Sequence, residues 1–216
     1  MKCDDCAHVF IDGYFNEAAL QRIFSKTHDN QKVGYEVEKQ RFVSAGMVEK
    51  VLPYQDSGAW LDIGFGNGSL LFTAQEYGFH PVGVDLRSEN VAILKKYGFE
   101  AYCEDVQKID FNRKFSVVSM MDVLEHVPYP KEMLETVSDL LVDGGVVLVS
   151  MPNTESLIWR LMTEQKKNPY LGEIEHYHNF SRSRLYALLS EFSLSPLRYG
   201  ISRRYQACME VVARKE

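Results

Sequence analysis

Three glycines, Gly64, Gly66 and Gly68, stand where the chain passes from a hydrophobic segment into a helical one. Glycine lets the backbone turn sharply and approach a ligand without a Cβ in the way. The helix that follows offers unpaired backbone N–H groups in its first turn. The pattern therefore predicts a loop that binds a nucleotide or nucleoside.

An acidic residue, Asp85, follows Gly68 by 17 residues and directly succeeds the apolar run 82–84. At about this separation a carboxylate can accept the hydroxyl groups of a ribose. Dinucleotide-binding loops have the spacing Gly-x-Gly-x-x-Gly, whereas this chain has Gly-x-Gly-x-Gly with Asp62 just before it. An acid at this place suits a positively charged nucleoside sulfonium better than a pyrophosphate. An NAD(P)-dependent oxidoreductase stays the alternative.

Alternating strands and helices must position these residues. Almost continuous apolar runs are typical of strands that helices cover on both faces, and they predict five strands at 59–63, 81–84, 99–103, 115–120 and 146–150. Helical spacing of apolar residues predicts helices at 69–77, 88–97 and 130–141, with a turn at 143–145. A further helix at 181–190 and strands at 193–199 and 205–213 complete the pattern. The predicted fold is α/β, a Rossmann-like doubly wound sheet with helices on both faces.

The chain divides into two parts by this pattern. Residues 1–58 contain two predicted helices, 15–27 and 35–52, and we expect them to cap the sheet. Residues 59–216 form the main domain. Within it, the polar, aromatic stretch near 153–180 contains a short predicted helix at 154–163 and is expected to be a lid or substrate insertion.

Several segments together resemble the motif set of class I S-adenosylmethionine-dependent methyltransferases. Residues 61–68 resemble motif I of that family, and 115–127, with Asp-Val-Leu-Glu-His at 122–126, resemble its fourth motif. Residues 140–150 resemble the helix, turn and strand that follow. The resemblance covers about 54–212 and is greatest to the small-molecule methyltransferases of the ubiquinone-biosynthesis type.

The resemblance implies a seven-stranded sheet with an antiparallel last strand and a methyl donor, S-adenosyl-L-methionine, that leaves as S-adenosyl-L-homocysteine. It places Asp85 at the ribose, Asp105 at the adenine amino group, Val106 beside the ring, and Met121 with Asp122 beside the methionine portion. The residues expected to bind the cofactor are Asp62, Gly64, Gly66, Gly68, Asp85, Leu86, Asp105, Val106, Met121 and Asp122.

Methyl transfer from a sulfonium is an in-line displacement, for which positioning supplies much of the catalysis. A general base is needed only when the attacking atom carries a proton that must leave. His126 and His178 are the candidate bases, although His126 could instead orient its loop. In an extended stretch His176 and His178 would lie on the same side, so we expect both, with His126 and Tyr35, to contact substrate.

Cys3 and Cys6 have the Cys-x-x-Cys spacing of a zinc knuckle. A structural zinc needs four ligands, and the sequence has no second pair of this kind. The segment resembles the second half of the zinc ribbon that precedes some members of the family. We therefore assign no metal site, and a redox pair is the other option.

The net charge of −6, from 24 basic and 30 acidic residues, disfavours nucleic acid as a partner. Short basic spots such as Arg203-Arg204 are expected to be solvated surface charge. The absence of a long apolar run or a signal-peptide core favours a cytoplasmic protein without a membrane partner. We expect a small-molecule methyl acceptor at oxygen, nitrogen or carbon; a non-catalytic cofactor-binding module is a further alternative.

Overall fold

The structure is a computed structural model and describes residues 1–16, 19, 22–23 and 29–216. Its strands are β1 (Val9–Phe10), β2 (Gly58–Ile63), β3 (Phe79–Val84), β4 (Glu100–Tyr102), β5 (Phe115–Met121), β6 (Leu141–Pro152), β7 (His178–Asn179), β8 (Leu194–Ile201) and β9 (Cys208–Lys215). Its α-helices are α1 (Val37–Val51), α2 (Ser69–Glu76), α3 (Ser88–Lys96), α4 (Pro130–Leu140), α5 (Leu157–Glu164) and α6 (Arg182–Glu191). Within the described ranges, no helix combines the length and the apolar character needed to cross a bilayer.

Seven strands form the central sheet, in the order β4-β3-β2-β5-β6-β9-β8. The strands from β2 to β6 are parallel to their neighbours, and β9 runs antiparallel to both β6 and β8. The predicted α/β fold with a mostly parallel, seven-stranded sheet and an antiparallel last strand is therefore confirmed. The predicted start of β6, at residue 146, was wrong. The strand begins at Leu141, which pairs with Phe115 ahead of a shift in register.

Neighbouring residues of the central strands pack against opposite layers, because side chains alternate along a strand. Trp60 packs in one cluster with Val48 and Leu70, which lie on α1 and α2. The next residue, Leu61, packs in the other cluster, which contains residues of α4 and α6 such as Leu134. Helices on both faces are thus confirmed, and they explain why both alternating sets of side chains in the central strands are largely apolar.

The N-terminal part contacts the main domain in two ways, through α1 and through a separate two-stranded sheet. The predicted helix at 35–52 is α1, whereas part of the helix predicted at 15–27 lies outside the described residues. Strand β1 pairs antiparallel with β7, so the first ten residues attach to the segment near 153–180. That segment also holds α5 and a 3-10 helix at Pro169–Gly172. The division at residue 58 and the lid role stay predictions.

Candidate active site

The loop from β2 to α2 carries the three glycines, and each has a positive φ: 71° at Gly64, 55° at Gly66 and 75° at Gly68. Only glycine adopts this left-handed conformation without strain. Gly64 is also closely packed, because a Cβ there would lie 2.7 Å from Cγ2 of Val123. The glycine loop therefore packs closely against Val123, which follows β5.

The carboxylate of Asp85 ties this loop to the end of β3. It is buried and accepts hydrogen bonds from the backbone N–H of Gly66 at 3.0 Å and of Arg87 at 2.8 Å. The Arg87 guanidinium contacts both of its oxygens, at 3.2 and 3.3 Å. The structure thus joins the glycine loop and Asp85, as their spacing indicates, and adds Arg87, which the sequence gave no reason to select.

Leu86 and Asp105 lie at the carboxyl ends of the neighbouring strands β3 and β4. The Leu86 side chain is 54% exposed, and its carbonyl oxygen accepts from Cys103 Sγ at 3.6 Å. The half-buried Asp105 accepts from the Gln107 N–H at 3.1 Å and so caps the 3-10 helix at Val106–Lys108. Val106, expected to flank a ring, is 3% exposed and packs in the core. Leu86 therefore presents an exposed apolar side chain, and Asp105 a carboxylate acceptor, after neighbouring strands.

Residues 29–35 pass over the glycine loop. The buried Asn90 side chain donates to the carbonyl oxygens of Gln31 at 2.8 Å and Gly66 at 2.9 Å. The Gly34 N–H donates to the Asn67 carbonyl at 3.3 Å. Tyr35, 37% exposed, follows directly. The predicted helix at 35–52 thus begins beside the loop, and Asn90, which the sequence analysis did not single out, holds the preceding residues there.

Asp62 lies beneath the loop in a buried polar chain between β2 and β5. The Ser119 hydroxyl donates to Asp62 Oδ1 at 2.6 Å and accepts from Trp60 Nε1 at 2.8 Å. Burial raises the pKa of the Asp62 carboxyl to about 7, against the opposing effect of the Ser119 hydrogen bond. Asp62 therefore supports the loop from inside the sheet, at 2% exposure.

Asp122 follows the buried Met121 at the end of β5 and has a φ of 57°. Ser150 fixes this conformation, since its carbonyl accepts from the Asp122 N–H and its hydroxyl donates to Oδ1, each at 2.8 Å. The other carboxylate oxygen pairs with the Arg204 guanidinium. The assignment of Arg204 to solvated surface charge was therefore wrong: its side chain is 30% exposed and reaches the carboxyl edge of the sheet.

Glu125, His126 and His176 form a cluster beyond Asp122, in which Glu125 and His176 are buried and His126 is half-buried. The His126 and His176 rings meet edge to face, with centroids 4.6 Å apart. Burial lowers the pKa of both imidazoles. Burial also raises the pKa of the Glu125 carboxyl well above its usual range, and the nearby Asp122 adds to this effect. Glu125 had no predicted role, because a glutamate in a loop gives no sequence signal of burial.

His178 lies apart from this cluster, against the N-terminal segment. Its Nε2 donates to the Pro128 carbonyl at 3.3 Å, so its Nδ1 can accept from His8 Nε2 at 3.0 Å. Burial lowers the pKa of both rings. The backbone turns at 173–177 instead of extending. For this reason His176 and His178 contact different partners.

Cys3 and Cys6 flank a tight turn next to this histidine pair. The Ala7 N–H donates to the Cys3 carbonyl at 2.9 Å, and the Cys3 N–H donates to the His8 carbonyl at 2.8 Å. Backbone N–H groups of Cys6 and Asp5 lower the pKa of the Cys3 thiol. All four cysteines are free thiols, so the turn has the form of a knuckle without a disulfide.

Comparisons with known proteins agree with this arrangement. The family profile described as "Methyltransferase domain" matches residues 35–197. The chain belongs to this methyltransferase-domain family, and its sheet topology is that of class I S-adenosylmethionine-dependent methyltransferases.

Among individual proteins, the chain is similar to "Ubiquinone biosynthesis O-methyltransferase" of Colwellia psychrerythraea, with 27% identity over 129 residues, 55% of this chain and 52% of that protein. The Nitrosococcus oceani protein of the same name is 32% identical over 101 residues, 43% of each chain. The chain thus spans about half the length of these curated relatives.

Solved structures show the same fold over almost the whole chain. The 1,6-didemethyltoxoflavin-N1-methyltransferase of Burkholderia thailandensis, with bound 1,6-didemethyltoxoflavin and S-adenosylhomocysteine, superposes with a TM-score of 0.69 at 20% identity, covering 99% of this chain and 97% of that one. The magnesium protoporphyrin IX methyltransferase of Synechocystis PCC 6803, with bound SAH, gives 0.65 at 16% identity, covering 95% and 90%.

Proposed function

We propose that this protein binds S-adenosylmethionine at the carboxyl edge of its sheet and transfers the methyl group to a small-molecule acceptor. The observation that carries the proposal is the hydrogen bond from the Gly66 N–H to the buried Asp85 carboxylate. It joins the glycine-rich loop after β2 to an acid at the carboxyl end of the neighbouring β3. The strand order reverses between β2 and β5, and open α/β sheets bind nucleotides at such a switch point.

Each part of the cofactor has a matching group along this edge. The Asp85 carboxylate would accept the ribose hydroxyls in place of the Arg87 side chain, and its two backbone donors would keep it in position. The exposed Leu86 side chain and Asp105 would hold the adenine. Met121 and Asp122, at the end of β5, would lie beside the methionine portion.

The charge distribution suits a sulfonium ligand. The acids Asp85, Asp105 and Asp122 lie along this edge, and the cations Arg87 and Arg204 pair with Asp85 and Asp122, which leaves Asp105 as a surplus acid. A cationic sulfonium and ammonium are attracted to such a surplus of acids, whereas a pyrophosphate would be repelled. The same balance disfavours a nicotinamide dinucleotide.

Catalysis would depend chiefly on alignment. The acceptor must attack the methyl carbon opposite the sulfur, and a buried site holds both groups in line without competing water. His126 is the candidate group for an acceptor proton, since it lies four residues beyond Asp122. His178 is held by His8 and Pro128, which supports a role in shaping the pocket wall.

An oxygen acceptor is the form of the reaction that the relatives favour, since both are named O-methyltransferases. The small-molecule acceptor is further supported by the acidic net charge of −6. The cytoplasmic location stays a prediction.

The test is a transfer assay with methyl-labelled S-adenosylmethionine and a panel of phenols, amines and carbon acids. We expect label in a hydroxyl compound together with an equal amount of S-adenosylhomocysteine. Cofactor binding without transfer to any compound would indicate a non-catalytic module. Binding of NAD(P) instead of S-adenosylmethionine would indicate an oxidoreductase.

A further inference from the structure

Three potential metal ligands converge beyond the end of β5. Glu125 and His126 belong to the 3-10 helix at Leu124–His126, and His176 comes from the loop before β7. One ligand atom from each lies within 4.8 Å of the other two. Two histidines alone did not justify a metal assignment from the sequence, and the structure adds the carboxylate.

Hydrogen bonds fix which nitrogen of each ring faces the cluster. His126 Nδ1 lies 3.0 Å from the Glu175 carbonyl, which can only accept, so the lone pair of the neutral ring is on Nε2. His176 Nε2 lies 2.9 Å from a Glu173 carboxylate oxygen, which leaves the lone pair on Nδ1. Metal-binding histidines are held in this way, with the second nitrogen bonded to a carbonyl or carboxylate.

The remaining groups of the cluster lack partners. Both Glu125 carboxylate oxygens and His176 Nδ1 are buried without a hydrogen-bond partner among the described residues. Glu125 is 1% exposed and His176 is 4% exposed. Buried polar atoms are normally bonded, because leaving them bare is costly. A cation between them would satisfy all three atoms.

The charges around the cluster also favour a cation. The acids Asp122 and Glu173 face Glu125, and two nearby cations, Arg204 and Arg87, form ion pairs with Asp122 and Asp85. Glu173 in addition orients His176. A dication would therefore enter a site with an excess of negative groups.

We propose that Glu125, His126 and His176 bind a divalent transition-metal ion, with Zn²⁺ as the representative. Two imidazoles and one carboxylate suit this class of ion and leave a fourth position open for another ligand. Bonds of about 2.0–2.2 Å in a tetrahedral site place ligand atoms about 3.3 Å apart. Side-chain shifts of roughly an ångström would close the cluster to that size.

The open position on the metal ion could bind the methyl acceptor. This part of the proposal rests on the proposed methyl transfer. A hydroxyl acceptor bound there would lose its proton to solvent, because a metal ion lowers the pKa of a bound hydroxyl. The oxygen would then form the new C–O bond while the S–CH₃ bond breaks and its electron pair stays on sulfur. His126 would act as a ligand and not as a base.

The experiment uses the full chain with Cys3→Ser and Cys6→Ser, which removes the N-terminal thiols as competing ligands, and titrates it with Co²⁺. We expect one ion per chain and an absorption spectrum without a thiolate charge-transfer band. Glu125→Gln and His176→Asn should each weaken Co²⁺ binding at least about 100-fold. His178→Asn is the matched control, a buried histidine outside the cluster, and should bind Co²⁺ normally.

Failure of the thiol-free chain to bind Co²⁺ overturns the proposal, as does undiminished binding by both cluster variants. If either variant fails to fold, X-ray absorption of the Zn²⁺-loaded thiol-free chain decides, because a coordination shell without imidazole contradicts the site. Titration of each protein with S-adenosylhomocysteine keeps the two proposals separate. Normal nucleoside binding with no metal binding refutes only the metal site.

Discussion

Gly64→Ala tests how the glycine loop is packed against the residues after β5. The new Cβ would meet Val123 Cγ2 at 2.7 Å, in a backbone with a φ of 71°. An alanine in the left-handed region costs about 1–2 kcal/mol, and an overpacked contact adds roughly 1–3 kcal/mol. We therefore expect the free energy of unfolding to fall by roughly 2–5 kcal/mol.

Gly66→Ala separates the two effects, because its φ is also positive but the nearest atom to a Cβ there lies 4.0 Å away. It should show only the backbone strain, about 1–2 kcal/mol. Val123→Ala in the Gly64→Ala background should recover the contact part, as a coupling energy of about 1–3 kcal/mol.

The assay is urea unfolding followed by circular dichroism, for the single variants Gly64→Ala, Gly66→Ala and Val123→Ala, the double variant at 64 and 123, and the wild type. The packing argument is refuted if Gly64→Ala costs no more than Gly66→Ala. It is equally refuted if the two substitutions at 64 and 123 are additive, since then no contact couples them.

Three further changes test the network around the site. Arg204→Gln removes the partner of Asp122. Because the arginine side chain is 30% exposed, we expect the free energy of unfolding in urea to fall by roughly 1–3 kcal/mol, less than for a fully buried pair. A change near zero would contradict the pairing. Ser119→Ala removes the hydrogen bond to buried Asp62 and should lower the free energy of unfolding by roughly 1.5–3 kcal/mol; an unchanged urea midpoint would show that this bond contributes nothing. Burial lowers the pKa of His8 from 6.5 to about 4, so between these values the unfolded chain binds more protons and stability falls as the pH drops. His8→Gln should make that fall less steep in unfolding curves taken across this range, and an identical pH dependence would count against the assignment.

The sheet could be predicted from the sequence because its strands are buried on both faces. Runs such as 115–120 are mainly apolar, and the helices between them keep a regular spacing. The start of β6 was missed, because Gly144 and Gly145 indicate a turn and do not reveal that the preceding residues pair with β5. The local sequence pattern therefore predicts which segments are buried, but it does not predict which strands pair with each other.

Within the candidate site, local spacing identified Gly64, Gly66, Gly68 and Asp85, because a loop and the next strand end must meet at one edge of a parallel sheet. Arg204 could not be found this way, since it is 82 residues from Asp122 and reaches it only through the loop between β8 and β9.

The histidine pattern failed for a related reason. A spacing of two predicts a common side only in an extended chain, and the turn at 173–177 sends His176 towards His126 and His178 towards His8. The positions of His176 and His178 depend on partners that are distant in the sequence, so a local sequence pattern could not predict them.

Calorimetric titration with S-adenosylhomocysteine tests the central claim most directly, with Asp85→Asn compared with Asp143→Asn. Asp143 is the control because its side chain is 95% exposed and lies away from the loop. The account predicts one site per chain in the wild type and in Asp143→Asn. In Asp85→Asn it predicts a loss of about 1.5–3 kcal/mol of binding free energy, roughly 10- to 150-fold in Kd. Absence of binding by the wild type, or equal affinity in Asp85→Asn and Asp143→Asn, would contradict it.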